Sequence, residues 1–91
     1  MAATAAPVPQ QLRVAVLTGP GCDPECVEQT CKHLLHPGLH VDTVTPQQVQ
    51  RGVLQSYDVF ISPGGGARWQ AQALGFHGCR RIVDFVRSGG G

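Results

Sequence analysis

The chain has 91 residues, enough for one domain at most, and its seven Lys and Arg against six Asp and Glu give a formal net charge of +1. This balance leaves nucleic-acid binding unsupported, because proteins hold phosphate backbones with an excess of Lys and Arg. No apolar run approaches the roughly 18 residues of a membrane span. We therefore expect neither nucleic acid nor membrane as a partner.

The first residues are rich in Ala and Pro and carry no charged side chain before Arg13. They lack the basic start and leucine-rich core of a secretory signal. We interpret residues 1–11 as a disordered leader and residues 12–91 as the domain, with a cytoplasmic location.

Hydrophobic patterning predicts three strands, which occupy residues 13–18, 39–44 and 57–62. The first, RVAVLT, is an uninterrupted apolar run typical of a parallel strand buried on both faces. Helices are predicted over residues 24–35, 46–50, 67–74 and 78–87, the first two opened by an N-cap followed by proline at Asp23-Pro24 and Thr45-Pro46. The residues from Gly75 to Gly78 are expected to break the last two apart.

This alternation of strands and helices predicts an α/β fold with a parallel sheet and right-handed crossovers. Three strands are few for a sheet covered on both faces. The helix that ends in Gly89-Gly90-Gly91 normally leads into another strand, so the domain looks truncated after the third strand and the helices that follow it. Without that strand, an apolar sheet edge would stay unpaired.

Two glycine-rich loops follow strands one and three, and ligands in such sheets bind at the carboxyl ends of the strands. They are Gly19-Pro20-Gly21 and Pro63-Gly64-Gly65-Gly66. Successive backbone amides in such loops can form an anion site, or the loops can simply be tight turns. No phosphate-loop or dinucleotide-binding motif is present, and we expect no cofactor.

Two side chains near the second loop are further candidates for a pocket. Arg68 could contact an anionic ligand, although a solvated arginine is commoner. Trp69 could wall the pocket, but packing against the sheet is the preferred interpretation.

The four cysteines are interpreted as free thiols, because disulfides belong to secreted proteins. Their spacing does not match a zinc site, so no metal is expected. Cys22 lies beside the first loop near a helix N-terminus, where a thiol pKa tends to fall. Neither these cysteines nor the four histidines form a recognisable catalytic arrangement.

The runs VLTGPGCDPECVEQTCKHL, at residues 16–34, and VFISPGGGARWQAQALGFHGCRRIVDFVRSGGG, at residues 59–91, resemble the N-terminal domain of biotin–protein ligases. That family is similar in fold to class I glutamine amidotransferases, and the resemblance covers nearly all of the chain after the leader. It implies a three-layer, flavodoxin-like or class I glutamine-amidotransferase-like architecture.

The resemblance also implies that the amides of Gly64 and Gly65, with Gly66 as neighbour, form an oxyanion hole. The family's nucleophilic cysteine lies on an elbow after the next strand, which these 91 residues do not include. We therefore assign no catalytic residue and expect the 91-residue chain to be inert. A small-molecule ligand, and a biotin–protein ligase catalytic region in a longer chain, are the candidate partners.

Two alternatives remain open. The chain could be a non-catalytic module that binds a small anion or another protein. A flavodoxin-like receiver or flavin domain is the weaker alternative, because a receiver needs paired acidic residues after the first strand, where Gly19-Pro20-Gly21 stands instead.

Overall fold

The computed structural model describes residues 11–91, so the predicted leader lies outside the described residues except for Gln11. The elements follow one another as strands β1 to β3, helices α1 to α3 and one short 3-10 helix. In chain order they are β1 (Leu12–Leu17), α1 (Pro24–His33), β2 (Leu39–Val44), α2 (Pro46–Gln50), the 3-10 helix (Val53–Ser56), β3 (Val59–Ile61) and α3 (Ala67–Arg87).

The three strands form one parallel sheet in the order β2-β1-β3, which confirms the predicted α/β fold. Leu12 is paired with Leu39 across β1 and β2, and Val14 with Val59 across β1 and β3. The central strand is the most buried part of the molecule, since each residue from Val14 to Leu17 is at most 3% exposed. Alternate residues point to opposite faces, so both faces of β1 are covered, as its unbroken apolar run predicts.

The two predicted N-caps hold their helices in place. The Asp23 carboxylate accepts a hydrogen bond of 2.9 Å from the Glu25 amide, and Pro24 occupies the first turn of α1. Thr45 and Gln48 form a reciprocal capping box at α2, each side chain accepting a hydrogen bond from the backbone amide of the other.

Four predicted boundaries differ from the observed ones. β1 begins and ends one residue earlier than the predicted residues 13–18. β3 is shorter than residues 57–62, and α1 ends at His33, which leaves Leu35 82% exposed and off the apolar face. The predicted break between residues 75 and 78 is a single non-helical residue, Gly75 (φ 67°, ψ −175°), after which α3 resumes. Gly78 lies inside α3, where a Cβ would be 2.8 Å from the Cβ of Leu74, so glycine leaves room for that buried side chain.

The chain reverses direction across the sheet between β1 and β3. It moves from β1 to β2 on one side, then passes back over β1 to reach β3 on the other. Right-handed connections therefore place α1 on one face of the sheet and α2 on the opposite face. The crevice between the carboxyl ends of β1 and β3 is the switch point at which doubly wound sheets bind ligands.

No helix within residues 11–91 has the length and apolar character needed to cross a membrane.

Substitution of the central leucine tests this account of the core. Leu17→Ala should lower the free energy of unfolding by about 2–5 kcal/mol, because it leaves a cavity at a fully buried position of β1. Leu35→Ala is the matched control and should change it by less than about 0.5 kcal/mol, because that side chain is exposed. The measurement is urea unfolding followed by circular dichroism, and similar losses in both variants would contradict the assigned core.

Candidate functional site

The two glycine-rich loops lie side by side at the switch point, where they form a short antiparallel pairing of Cys22 with Gly65. The Gly66 amide donates to the Gly21 carbonyl over 2.9 Å, and the Asp23 amide donates to the Gly64 carbonyl over 3.0 Å. The structure therefore brings together the two loops that the sequence singled out, and it fixes each by the backbone of the other.

A buried glutamine ties both loops to the start of α3. Gln70 is 6% exposed, and its Nε2 donates to the carbonyls of Gly21 (3.2 Å) and Pro63 (3.0 Å). Its Oε1 accepts a hydrogen bond from the Ser62 hydroxyl. All three partners lie in or next to the loops, and a buried amide with this many bonds holds its surroundings in a single arrangement.

Close packing explains why glycine stands at two of the loop positions. Gly21 has φ 85°, and a Cβ there would collide with the backbone of Trp69 and Gln70 at the start of α3. Gly65 has φ 143°, and a Cβ there would collide with the Gly21 carbonyl. Both positions thus combine a left-handed backbone with contact too close for any side chain.

The amides of the second loop fall into two groups. The Gly66 amide bonds to Gly21, whereas the amides of Gly64 and Gly65 have no hydrogen-bond partner among residues 11–91. The loop leads directly into α3, whose N-cap, Gly66, provides no side-chain cap, in contrast to the caps of α1 and α2. The first-turn amides of α3 have no carbonyl partner within the helix, and the helix dipole favours negative charge near this end.

Trp69 lies against the second loop and not against the sheet. Its side chain is 64% exposed, and its Cδ1 atom is so close to Gly66 that a Cβ on that glycine would be 2.6 Å away. The preferred prediction of packing on the sheet is therefore wrong, because the first turn of α3 directs the indole over the loop. Arg68 is exposed and forms no ion pair within residues 11–91.

The remaining pocket candidates lie at the rim of the site. Gly19 and Pro20 are exposed, and Gly19 approaches the ring of Pro46 at the start of α2. They shape the turn after β1, while Gly21 makes the contacts with α3.

All four cysteines are free, and no group of three or more His, Cys, Asp or Glu within the described residues could hold a metal ion. Burial raises the pKa of the Cys22 thiol, so the predicted fall at a helix N-terminus is wrong: desolvation disfavours the thiolate. The thiol nearest the second loop is that of Cys26, in the first turn of α1, since a Cβ on Gly64 would lie 2.9 Å from its sulfur. No sequence pattern predicts this contact, because it depends on how α1 packs beside the loop.

An open cleft of about 560 Å³ lies at the opposite, amino-terminal end of the strands. Its charged groups already have partners: Asp58 accepts from the Arg13 amide (2.9 Å), and the Arg13 guanidinium lies 5.0 Å from the centre of the Tyr57 ring. Burial, and secondarily the hydrogen bond that Tyr57 donates to Asp42, raises the tyrosine pKa. The polar groups of the cleft therefore bond mainly to one another. The loops at the carboxyl ends of the strands are the better candidate site.

Comparisons of the chain with protein-family models, with curated proteins and with solved structures find no match.

The role of Gln70 can be measured by removing its amide. Gln70→Ala should lower the free energy of unfolding by about 1–3 kcal/mol, because the Pro63 carbonyl and the Ser62 hydroxyl lose a buried partner. Gln72→Ala, an exposed change of the same chemistry on the same helix, should have little effect. The measurement is thermal unfolding of both variants. If Gln70→Ala is as stable as Gln72→Ala, Gln70 does not hold the loops.

Thiol alkylation tests the assignment of burial to the cysteines. At pH 8, Cys79 should react with iodoacetamide fastest because it is exposed, and Cys22 slowest because it is buried and its pKa is raised. The rate at Cys22 should rise as the pH approaches its raised pKa, since only the thiolate reacts. Peptide mass spectrometry gives the order, and early labelling of Cys22 would contradict it.

Proposed function

We propose that the second glycine loop, residues 63–66, is an oxyanion-binding element of a class I glutamine-amidotransferase-like domain of the biotin–protein ligase N-terminal type. In this proposal Gly64 and Gly65 supply the amide donors, and the nucleophile lies on an elbow outside these 91 residues. The chain alone binds the anionic group and performs no catalysis.

The unpartnered amides of Gly64 and Gly65 carry the proposal. They stand at the switch point of a parallel sheet, directly before the uncapped N-terminus of α3. Preorganised amides of this kind stabilise a developing negative charge, because their dipoles need no rearrangement when the charge appears. The Gly66 amide is already bonded to Gly21, so within the three-glycine run the free donors are Gly64 and Gly65.

The surroundings of these amides fit an anionic group. Arg68 adds an exposed positive charge one residue into α3, and the Trp69 indole covers one side of the loop. The hydrogen bonds of Gln70 to the carbonyls of Gly21 and Pro63 tie both loops to α3. The same features support the alternative function, a non-catalytic module that binds a small anion.

Nuclear magnetic resonance titration tests the loop directly. Acetate or inorganic phosphate, added at constant ionic strength, should shift the amide resonances of Gly64 and Gly65 in a saturable manner and leave the bonded Gly66 amide nearly unchanged. Arg68→Gln should weaken binding several-fold, because it removes the charge next to the loop, and Arg87→Gln at the far end of α3 should not.

Two results would overturn the proposal. One is the absence of saturable shifts at Gly64 and Gly65. The other is a uniform shift of all glycine amides, which would report ionic strength alone. The 91-residue chain should also release no ammonia from glutamine, and release that alkylation of its thiols abolishes would contradict the placement of the nucleophile outside it.

A further inference from the structure

The C-terminal end of α3 is shaped by a well-defined capping motif. The Gly89 amide donates to the Val86 carbonyl (3.1 Å), and the Gly90 amide donates to the Phe85 carbonyl (3.0 Å). With Gly89 at φ 102°, this pair of bonds is a Schellman motif. Gly90 packs so tightly on the Phe85 ring that a Cβ there would collide with it. The motif turns the chain sharply back towards the sheet.

After this turn, the last residue pairs with the open edge of β3. The Gly91 amide donates to the Asp58 carbonyl (3.0 Å), and the Phe60 amide donates to the Gly91 carbonyl (2.8 Å). Gly91 thus bonds to both residues that flank Val59, Asp58 and Phe60. This is the hydrogen-bond pattern of two parallel strands. Gly91 therefore has the position and direction of a residue in a fourth parallel strand, on the side of β3 opposite β1.

The edge of β3 continues beyond this first pairing. Because backbone groups alternate sides along a strand, the next groups on the outer edge are the Phe60 carbonyl and the Ser62 amide. Neither has a backbone partner on that edge among residues 11–91. An unpaired edge of this kind is a template for another extended segment.

One exposed side of α3 is also apolar. Phe76, Cys79, Val83 and Val86 recur at helical spacing, and Phe76 and Val86 are 76% and 58% exposed. Right-handed crossovers that continue in one direction place successive helices on the same face of a sheet. A helix that follows a strand beside β3 would thus lie next to α3 and cover these side chains.

We propose that the outer edge of β3 is a docking surface for a parallel strand that continues in line from Gly91. The Schellman motif sets the direction of that strand, and the pairing of Gly91 sets its register. This inference is independent of the proposed anion site, because it concerns the edge of the sheet and not the loops.

A short extension of the 91-residue chain tests the proposal. We would append Val-Thr-Val-Thr after Gly91 and follow hydrogen exchange at the Ser62 amide. By the alternation of the ladder, the second appended residue donates its amide to the Phe60 carbonyl and accepts from the Ser62 amide. We expect exchange at Ser62 to slow by about tenfold, the protection that one net hydrogen bond gives.

Proline provides a matched pair of controls. Proline at the second appended residue removes the donor that faces β3 and should abolish the protection of Ser62. Proline at the third appended residue removes an amide that points away from β3 and should leave most of the protection in place. Both variants leave residues 11–91 unchanged. A difference in Ser62 protection between them therefore reports the pairing of the appended segment and not the folding of the domain.

Three outcomes would overturn the proposal. Exchange at Ser62 unaffected by the appended strand would show that the edge does not accept it. Equal protection in both proline variants would show that the register is wrong. Protection in the unextended chain that rises with protein concentration would assign the edge to a second copy of the chain instead.

Discussion

The arrangement of the candidate site depends on one buried amide. Gln70 reaches from the first turn of α3 to the carbonyls of Gly21 and Pro63, and it accepts from the Ser62 hydroxyl. It thereby joins the ends of β1 and β3 to the helix that covers them. A buried polar group of this kind is stable only when all its bonds are made, so the two loops and the helix must adopt their positions together.

This constraint also determines which amides are available to a ligand. The pairing of the loops requires the Gly66 amide for a bond to Gly21, and the collision at Gly65 keeps that pairing free of side chains. Gly64 and Gly65 retain unpartnered amides as a result. The packing that makes the switch point rigid thus supports the proposed anion site, since preorganised donors act without rearrangement. The exposed Trp69 indole lies against Gly66 of the same loop.

The other end of α3 has a comparable role at the edge of the sheet. Its glycines do three different things: Gly89 takes the left-handed conformation of the cap, Gly90 makes room for the Phe85 ring, and Gly91 pairs with β3. The helix is therefore fixed at its start by the loops and directed at its finish towards β3. The long connection between the two regions is interrupted only at Gly75, where the backbone leaves the helical conformation.

The local elements and their order follow from the amino-acid sequence alone. The apolar run of β1, the caps at Asp23 and Thr45 and the alternation of strands with helices predict the parallel α/β fold, because these signals act between neighbouring residues. It also located both glycine loops. Four properties come from tertiary packing: the unpartnered loop amides, the burial of Gln70, the raised Cys22 pKa and the exposure of Trp69. Those properties depend on contacts between residues about 50 positions apart, such as Gly21 with Gln70, which no local pattern encodes.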